Sequence, residues 1–208
     1  MPTSPIDFDA HLAGQSDAFL EAMLRADPAA RVPGCPDWSA DDLLSHLMRV
    51  QDFWAHVLAV RPAPPEDYVE PDRPTDREAL AERFRDASRR LREQLRSARD
   101  EEAAWTWHHS NHTVGFIRRR QAHEALIHRL DAEQTAGADD LTVLPADLAA
   151  DGVLEVLDWM YGGAPDWGSF TADGAHVALE ALDTGDRVVV ELGRFAGTPP
   201  DADEPIDE

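Results

Sequence analysis

The sequence lacks lysine altogether, holds a single cysteine and carries far more acid than base. Its 208 residues include 19 basic residues, all of them arginine, against 41 acidic residues, and the formal net charge is −22. Because phosphate binding requires clustered cations, this balance excludes nucleic acid as an expected partner. The single cysteine, Cys35, excludes an intramolecular disulfide and a cysteine-based zinc cluster.

Long apolar runs are also missing. The first ten residues, "MPTSPIDFDA", have neither the basic start nor the apolar stretch of a signal peptide. No run approaches the roughly 20 apolar residues that a membrane helix needs. The hydrophobic content of 43% is nevertheless that of a globular chain. We therefore expect a cytoplasmic globular protein without a membrane partner.

Four long helical patterns occupy the first two thirds of the chain. The first covers about residues 7–26. The second begins at a capping box of Ser39 and Asp42 and runs to about residue 60, ahead of a Pro-rich linker. The third begins at a second capping box, Thr75 with Glu78, and the fourth runs from about residue 113 to 137. Four amphipathic helices without intervening strands predict a four-helix bundle over residues 1–138.

The pattern changes after residue 137. Residues 145–161 predict a fifth helix, and the segments "HVALEAL" and "RVVVEL", joined by "DTGD", predict a β-hairpin with alternating faces. We therefore expect a small α/β domain over residues 139–197. The Pro-rich and acidic residues 198–208 are expected to form a disordered tail.

The segment "RRRQAHEALIHRLDAE", residues 118–133, holds a possible ligand pair on the fourth helix. Glu124 and His128 lie about 40° apart on one face, one turn from each other. His123 points about 100° away from Glu124, and its five-residue separation from His128 excludes the H-E-x-x-H helix of zinc proteases. An exposed Glu/His pair of no function is the alternative interpretation.

A second histidine lies on the apolar seam of the second helix. His46 falls between Leu43 and Val50 in the seam and is therefore expected to be buried, where a polar group needs a partner. A hydrogen-bonded core histidine is the simpler explanation of His46 alone. Together with Glu124 and His128 on a separate helix, however, it makes a candidate metal site of the kind that bundles build.

Three neighbours on the fourth helix are candidates for supporting roles. Asp131, one turn beyond His128, could orient that imidazole or bind cofactor hydroxyls. Arg120 and Gln121, one turn before Glu124, could hold cofactor or substrate. Each of them could equally be an ordinary helix residue. Cys35 is expected to pack at the start of the second helix, and "HHSNH", residues 108–112, is expected to form a polar loop.

Three stretches of the sequence resemble the mycothiol-dependent maleylpyruvate isomerase family, which belongs to the DinB-like metal-binding four-helix bundles of actinobacteria. They are "VPGCPDWSADDLLSHLMRVQDFWA" (32–55), "WTW" (105–107) and "VGFIRRRQAHEALIHRLDAE" (114–133). The resemblance covers about residues 7–136 and implies a mainly α protein, a DinB-like bundle with a small C-terminal α/β appendage. It also implies His46, Glu124 and His128 as metal ligands and mycothiol as a cofactor. The C-terminal part is similar to the family's second domain in outline only, and we expect it to be shortened.

The chemistry of the three residues is consistent with the resemblance. Two imidazoles and one carboxylate leave a coordination position open, as in catalytic zinc sites, and Ni²⁺ or Fe²⁺ would also suit them. A thiol at such a position loses its proton near neutral pH. Since Cys35 is the only protein thiol, we expect the sulfur to arrive on a small molecule.

Two hypotheses of function follow. The first is a metal-dependent S-transferase or isomerase that adds a low-molecular-weight thiol, mycothiol, to a small electrophilic substrate. The second is a non-catalytic metal- or ligand-binding bundle with a regulatory or stress role, which the short C-terminal domain favours. Because DinB-like bundles often dimerise through their helices, a homodimer is compatible with either.

Overall fold

The computed structural model describes residues 6–200, 202 and 204–207, and it divides the chain into two compact units. The unit formed by residues 7–143 contains four long helices, α1 Phe8–Arg25, α2 Ala40–Val60, α3 Arg77–Arg96 and α4 Val114–Thr135. Helix α1 packs along α4, α2 packs along α3, and α2 also contacts α4. The predicted four-helix bundle is confirmed.

The beginning of α2 is fixed as the sequence predicts. Ser39 is the N-cap, its hydroxyl accepts from the backbone N–H of Asp42, and the Asp42 carboxylate accepts from the backbone N–H of Ser39 at 2.9 Å. Both of these orphan donors at the helix start are therefore satisfied. This cap sets the register of α2 and, with it, the direction in which His46 points.

The predicted beginning of α3 is wrong by one residue. The N-cap is Asp76, whose carboxylate accepts from the backbone N–H of Ala79 at 2.8 Å, rather than Thr75. Threonine and aspartate are both good N-caps, so the local sequence does not choose between them. The choice is explained by Arg77, which in this register binds the carboxylate of Asp41 and the backbone oxygen of Met23.

The core of the bundle lies between the four helices. It is built from apolar side chains at three- and four-residue spacing, and Phe19 of α1 packs against Phe84 of α3 with ring centroids 5.2 Å apart. A small hairpin, β1 Arg31–Val32 and β2 Cys35–Ser39, connects α1 to α2. Cys35 and Trp38 of this hairpin are partly buried against the same core.

The second unit contains residues 144–207 together with Ile6 and is described by itself. Helix α5 covers Ala146–Leu154 and continues as a π-helical turn over Glu155–Met160, where an ordinary α-helix is predicted. Strands β3 Gly168–Glu180 and β4 Arg187–Gly197 form the predicted hairpin, although both are longer than predicted. A helix with a small sheet is the α/β appendage that the sequence predicts.

The acidic tail differs from its prediction of disorder. Ile206–Asp207 forms a short strand, β5, that pairs with the end of β4. The Arg194 guanidinium donates to the Asp207 carboxylate at 2.6 Å, and this ion pair accompanies the pairing of the two strands. Among the helices that the structure describes, none is long and apolar enough to cross a membrane.

The capping box at α2 yields a prediction about stability and pH. Hydrogen bonds from the Ser39 side chain and backbone, followed by Arg73, lower the pKa of Asp42 to about 2 from its ordinary 3.8. A lowered pKa in the folded protein means that the stabilisation is complete above about pH 4 and is lost as the pH falls towards 2. We expect Asp42→Ala to lower the free energy of unfolding at pH 7 by about 0.5–1 kcal/mol, since the carboxylate is partly exposed.

Thermal unfolding followed by circular dichroism measures this effect. A Tm decrease of roughly 1–4 °C is expected at pH 7, and the gap to the wild type should narrow below pH 4. Asp72→Ala, at an exposed acid in the linker, removes the same charge without touching a cap and should leave Tm nearly unchanged. A gap that is equal at pH 7 and pH 3 would argue against the ionised cap.

Candidate metal centre

Three side chains from two helices converge at one place on the bundle. His46 lies two turns into α2, and Glu124 and His128 lie one turn apart on α4. Their side chains are 27%, 20% and 12% exposed respectively, so the group is half-buried and reachable from solvent. The structure thus brings together the three residues that the sequence singles out, across 78 to 82 positions of chain.

The ligand atoms of these residues face one another. The Glu124 Oε1 lies 3.1 Å from the His128 Nε2 and 3.4 Å from the His46 Nε2, and the two imidazole rings meet edge to face at 4.8 Å between centroids. All three ligand atoms lie within 4.8 Å of one another. A divalent ion about 2.0–2.2 Å from each donor requires separations in this range.

The opposite sides of two of these groups are held by neighbours on α4. The Asp131 Oδ2 lies 2.9 Å from the His128 Nδ1, and the Arg120 guanidinium donates to the Glu124 Oε2 at 2.6 Å. With its Nδ1 proton directed at Asp131, His128 presents Nε2 to the group, as metal-binding histidines do. Asp131 therefore contacts His128 as the sequence suggests. Arg120 contacts Glu124, and its predicted role toward cofactor or substrate stays a prediction.

The two titratable groups of α4 stabilise one another's charged forms. Burial opposes ionisation of Glu124, but hydrogen bonds from His128, His46 and Arg120 outweigh it and hold the pKa of Glu124 far below its usual range. Burial alone would lower the pKa of His128. Hydrogen bonds with Asp131 and Glu124, and their negative charges, outweigh burial and raise this pKa from its ordinary 6.5 to about 9. Without a metal, His128 therefore carries a proton on the nitrogen that faces Glu124.

The predicted burial of His46 in the core is wrong. Its ring is partly exposed and packs against Trp38 of β2, with centroids 4.8 Å apart and planes inclined at 44°. The contact of Trp38 with His46 is not predicted from the sequence. Trp38 lies just before the Ser39 cap, outside α2, and eight residues before His46. Helical spacing therefore does not predict that the two side chains touch.

Gly34 is a second residue at the site that the sequence does not single out. It lies in the turn between β1 and β2, and a Cβ placed on it would come within 2.8 Å of the Asp131 Oδ1. The turn therefore packs directly against the carboxylate that holds His128. The Pro-Gly dipeptide signals a turn in the sequence, but nothing in the sequence places that turn against α4.

The other candidates lie elsewhere or have local roles. Gln121 is 1% exposed, and its Oε1 has no hydrogen-bond partner among the described residues, so its predicted role toward the cofactor stays a prediction. His123 is buried and meets Phe8 edge to face at 6.2 Å. In the "HHSNH" loop, the His108 Nδ1 accepts from the backbone N–H of Ser110 and of Asn111 at 3.1 Å, which makes it a structural residue.

The donor set and its surroundings fit a divalent metal ion. Two neutral imidazole nitrogens and one ionised carboxylate oxygen are borderline-hard ligands that suit Zn²⁺, and also Ni²⁺ or Fe²⁺. Three protein ligands leave one coordination position for a small molecule. The partial exposure of all three side chains gives that molecule access.

The packing of Gly34 yields a prediction that needs no metal. Gly34→Ala should push the Asp131 carboxylate off His128, because the end of a side chain gives way more easily than backbone. The pKa of His128 in metal-free protein should then fall from about 9 toward its ordinary 6.5. The titration of the imidazole Hε1 resonance in NMR spectra measures it.

Two further variants interpret the titration. Asp131→Asn removes the negative charge itself and should lower the same pKa. Gly14→Ala, on an open face of α1 with nothing within 4 Å, should leave it unchanged. An unaltered His128 titration in Gly34→Ala would show that the turn does not position Asp131.

Comparison with known proteins gives one finding for this region. A family model described as the mycothiol maleylpyruvate isomerase N-terminal domain matches residues 10–133, a range that contains His46, Glu124 and His128. It confirms the resemblance stated from the sequence. No curated protein and no solved structure matches the chain.

Proposed function

This chain belongs to the mycothiol maleylpyruvate isomerase N-terminal domain family, and we propose that it is a metal-dependent enzyme that activates a low-molecular-weight thiol. The observation that carries the proposal is the convergence of His46, Glu124 and His128 with their ligand atoms facing one another. The match supports the family connection because it spans more than half of the chain.

In this proposal His46, Glu124 and His128 hold the metal, which we take to be Zn²⁺, with Ni²⁺ or Fe²⁺ as alternatives. The ion would supply a Lewis-acid position at which a thiol loses its proton near neutral pH. Asp131 keeps the His128 Nε2 directed at the site, and Arg120 occupies the second oxygen of Glu124 so that Oε1 remains for ligation.

The reacting sulfur is proposed to come from a small thiol. Cys35 is the only cysteine of the chain, and it packs partly buried against the hydrophobic core. The name of the matching family gives mycothiol as the thiol. We therefore assign mycothiol as the cofactor that brings sulfur to the site.

The thiolate sulfur would then form a bond to an electrophilic carbon of a small substrate. In an S-transferase reaction the conjugate is the product, and a leaving group departs with the bonding electron pair or the carbanion takes up a proton. In an isomerase reaction the adduct rotates about a bond that was double and then eliminates the thiol. Both reactions use the same three ligands and the same open position.

Metal content tests the premise of the proposal. We expect one zinc per chain in purified protein, measured by inductively coupled plasma mass spectrometry, and substoichiometric zinc in His46→Ala. The reason is that two ligands on one helix hold zinc far less tightly than three from two helices. His56→Ala is a matched control on the same helix, because His56 pairs with Asp67 outside the group and should keep full zinc. His46→Ala protein with full stoichiometric zinc would rule out the three-ligand site.

Thiol conjugation tests the chemistry. Zinc-loaded protein mixed with mycothiol and a bimane electrophile should form the fluorescent conjugate faster than the uncatalysed reaction, and a chelator should abolish the acceleration. Glu124→Gln should lose it as well, since an amide oxygen is a poorer ligand than a carboxylate. A zinc-loaded protein that accelerates no conjugation across several electrophiles would be a binding module instead.

A further inference from the structure

A pocket adjoins the candidate metal centre on the face of α2. Its volume is about 310 Å³, and His46 is one of its lining residues. Four further lining residues share one face of α2: Arg49, Val50, Phe53 and Trp54. Tyr68 and Glu70, from the linker that leads to α3, complete the lining. A volume of this size lies at the lower end of the range for small-molecule sites.

The linker side of the pocket is fastened to α2. The Tyr68 hydroxyl donates to the Asp52 carboxylate at 3.1 Å, and the Tyr68 ring meets the Phe53 ring edge to face at 5.1 Å. Burial, followed by the negative charge of Asp52, raises the pKa of Tyr68 well above its usual value, so the hydroxyl remains a donor. Arg49 also donates to Glu70 at 2.8 Å across the pocket rim. These contacts make the linker a fixed wall.

The wall is apolar and aromatic, and its charges cancel. Phe53, Trp54 and Tyr68 present ring surfaces and edges, and Val50 contributes an aliphatic patch. The only full charges in the lining, Arg49 and Glu70, pair with each other. In a protein of net charge −22 this lining is locally neutral. Such a site favours a planar apolar group, which aromatic side chains contact in stacked or edge-on geometry.

We propose that this pocket binds the body of the electrophilic substrate, and that the body is uncharged, apolar and planar, of the size of one ring. This inference rests on the proposed function and names its substrate class. Because His46 both lines the pocket and belongs to the three-residue group, a molecule bound in the pocket would have its reactive carbon beside that group. In this proposal the thiol cofactor would bind outside the pocket, and its sulfur would reach the group formed by His46, Glu124 and His128.

Two electrophiles with the same reactive carbon test the assignment. N-benzyl-2-iodoacetamide and iodoacetamide both form a carbon–sulfur bond to the thiol, release iodide with the bonding electron pair and leave the thiol proton to solvent. With zinc-loaded protein and mycothiol, we expect kcat/KM to be about 10- to 100-fold higher for the benzyl compound, as burial of one phenyl ring provides. The uncatalysed rates of the two compounds give the correction for intrinsic reactivity.

Substitutions in the wall locate the effect. Val50→Phe fills the pocket and should reduce the benzyl preference to near unity. Tyr68→Ala, on the linker and outside the bundle core, should reduce it as well and serves as the second variant if Val50→Phe unfolds. Trp107→Leu removes an exposed aromatic side chain that packs on Phe116 elsewhere, and should leave the preference unchanged. Circular dichroism verifies that each variant is folded.

Binding without reaction separates this proposal from the proposed function. In saturation-transfer NMR on the purified protein without thiol, N-benzylacetamide should bind and acetamide should not, and Val50→Phe should abolish the signal. If the wild type shows this binding but conjugates neither electrophile, the result supports the apolar binding pocket and contradicts the proposed function.

Other outcomes overturn the pocket assignment alone. Conjugation of both electrophiles with equal kcat/KM, together with no binding of N-benzylacetamide, would leave the enzyme without this substrate site. A Val50→Phe variant that raises KM for mycothiol while keeping the benzyl preference would assign the pocket to the thiol. In either case metal-dependent conjugation by the wild type would still support the proposed function.

Discussion

The carboxylate of Glu124 is the charge around which the candidate site is arranged. A half-buried anion is tolerated only with close cationic or hydrogen-bonding partners, and Glu124 has two imidazoles on one oxygen and a guanidinium on the other. These partners join α2 to α4, because His46 lies on α2 whereas Arg120 and His128 lie on α4 with Glu124. The same arrangement leaves an oxygen and two nitrogens pointing at one place, which is what a divalent metal needs.

Local signals in the sequence predicted the helices well and the site residues in part. Capping boxes and apolar spacing depend on neighbours within one turn, so α2 and the Glu124/His128 pair could be identified from the chain alone. The contacts of Trp38 with His46 and of Gly34 with Asp131 depend on where a hairpin packs, and no local pattern encodes that. The predicted N-cap of α3 is wrong for the same reason, because the position of the cap depends on the contacts of Arg77 with Asp41 and Met23, which are distant in sequence.

The seam of α2 shows a limit of periodicity itself. The spacing of Leu43, His46 and Val50 predicts a core stripe, yet His46 and Val50 are only partly buried and line the pocket together with Phe53. An apolar stripe is needed both to fill a core and to build a pocket wall, so spacing alone cannot distinguish the two. His46 is the one polar residue of this stripe, and it both lines the pocket and belongs to the three-residue group.

The hairpin between α1 and α2 touches both halves of the site at once. Trp38 contacts a ligand of α2, while Gly34, four residues earlier, packs on the residue that holds a ligand of α4. Two changes made far apart in the sequence, one at Asp131 and one at Trp38, therefore act through a shared nine-residue segment, residues 31–39. The effects of the two changes on the free energy of unfolding should therefore be non-additive. The length of the hairpin should also limit how far Asp131 or Trp38 can be changed without a change in the other.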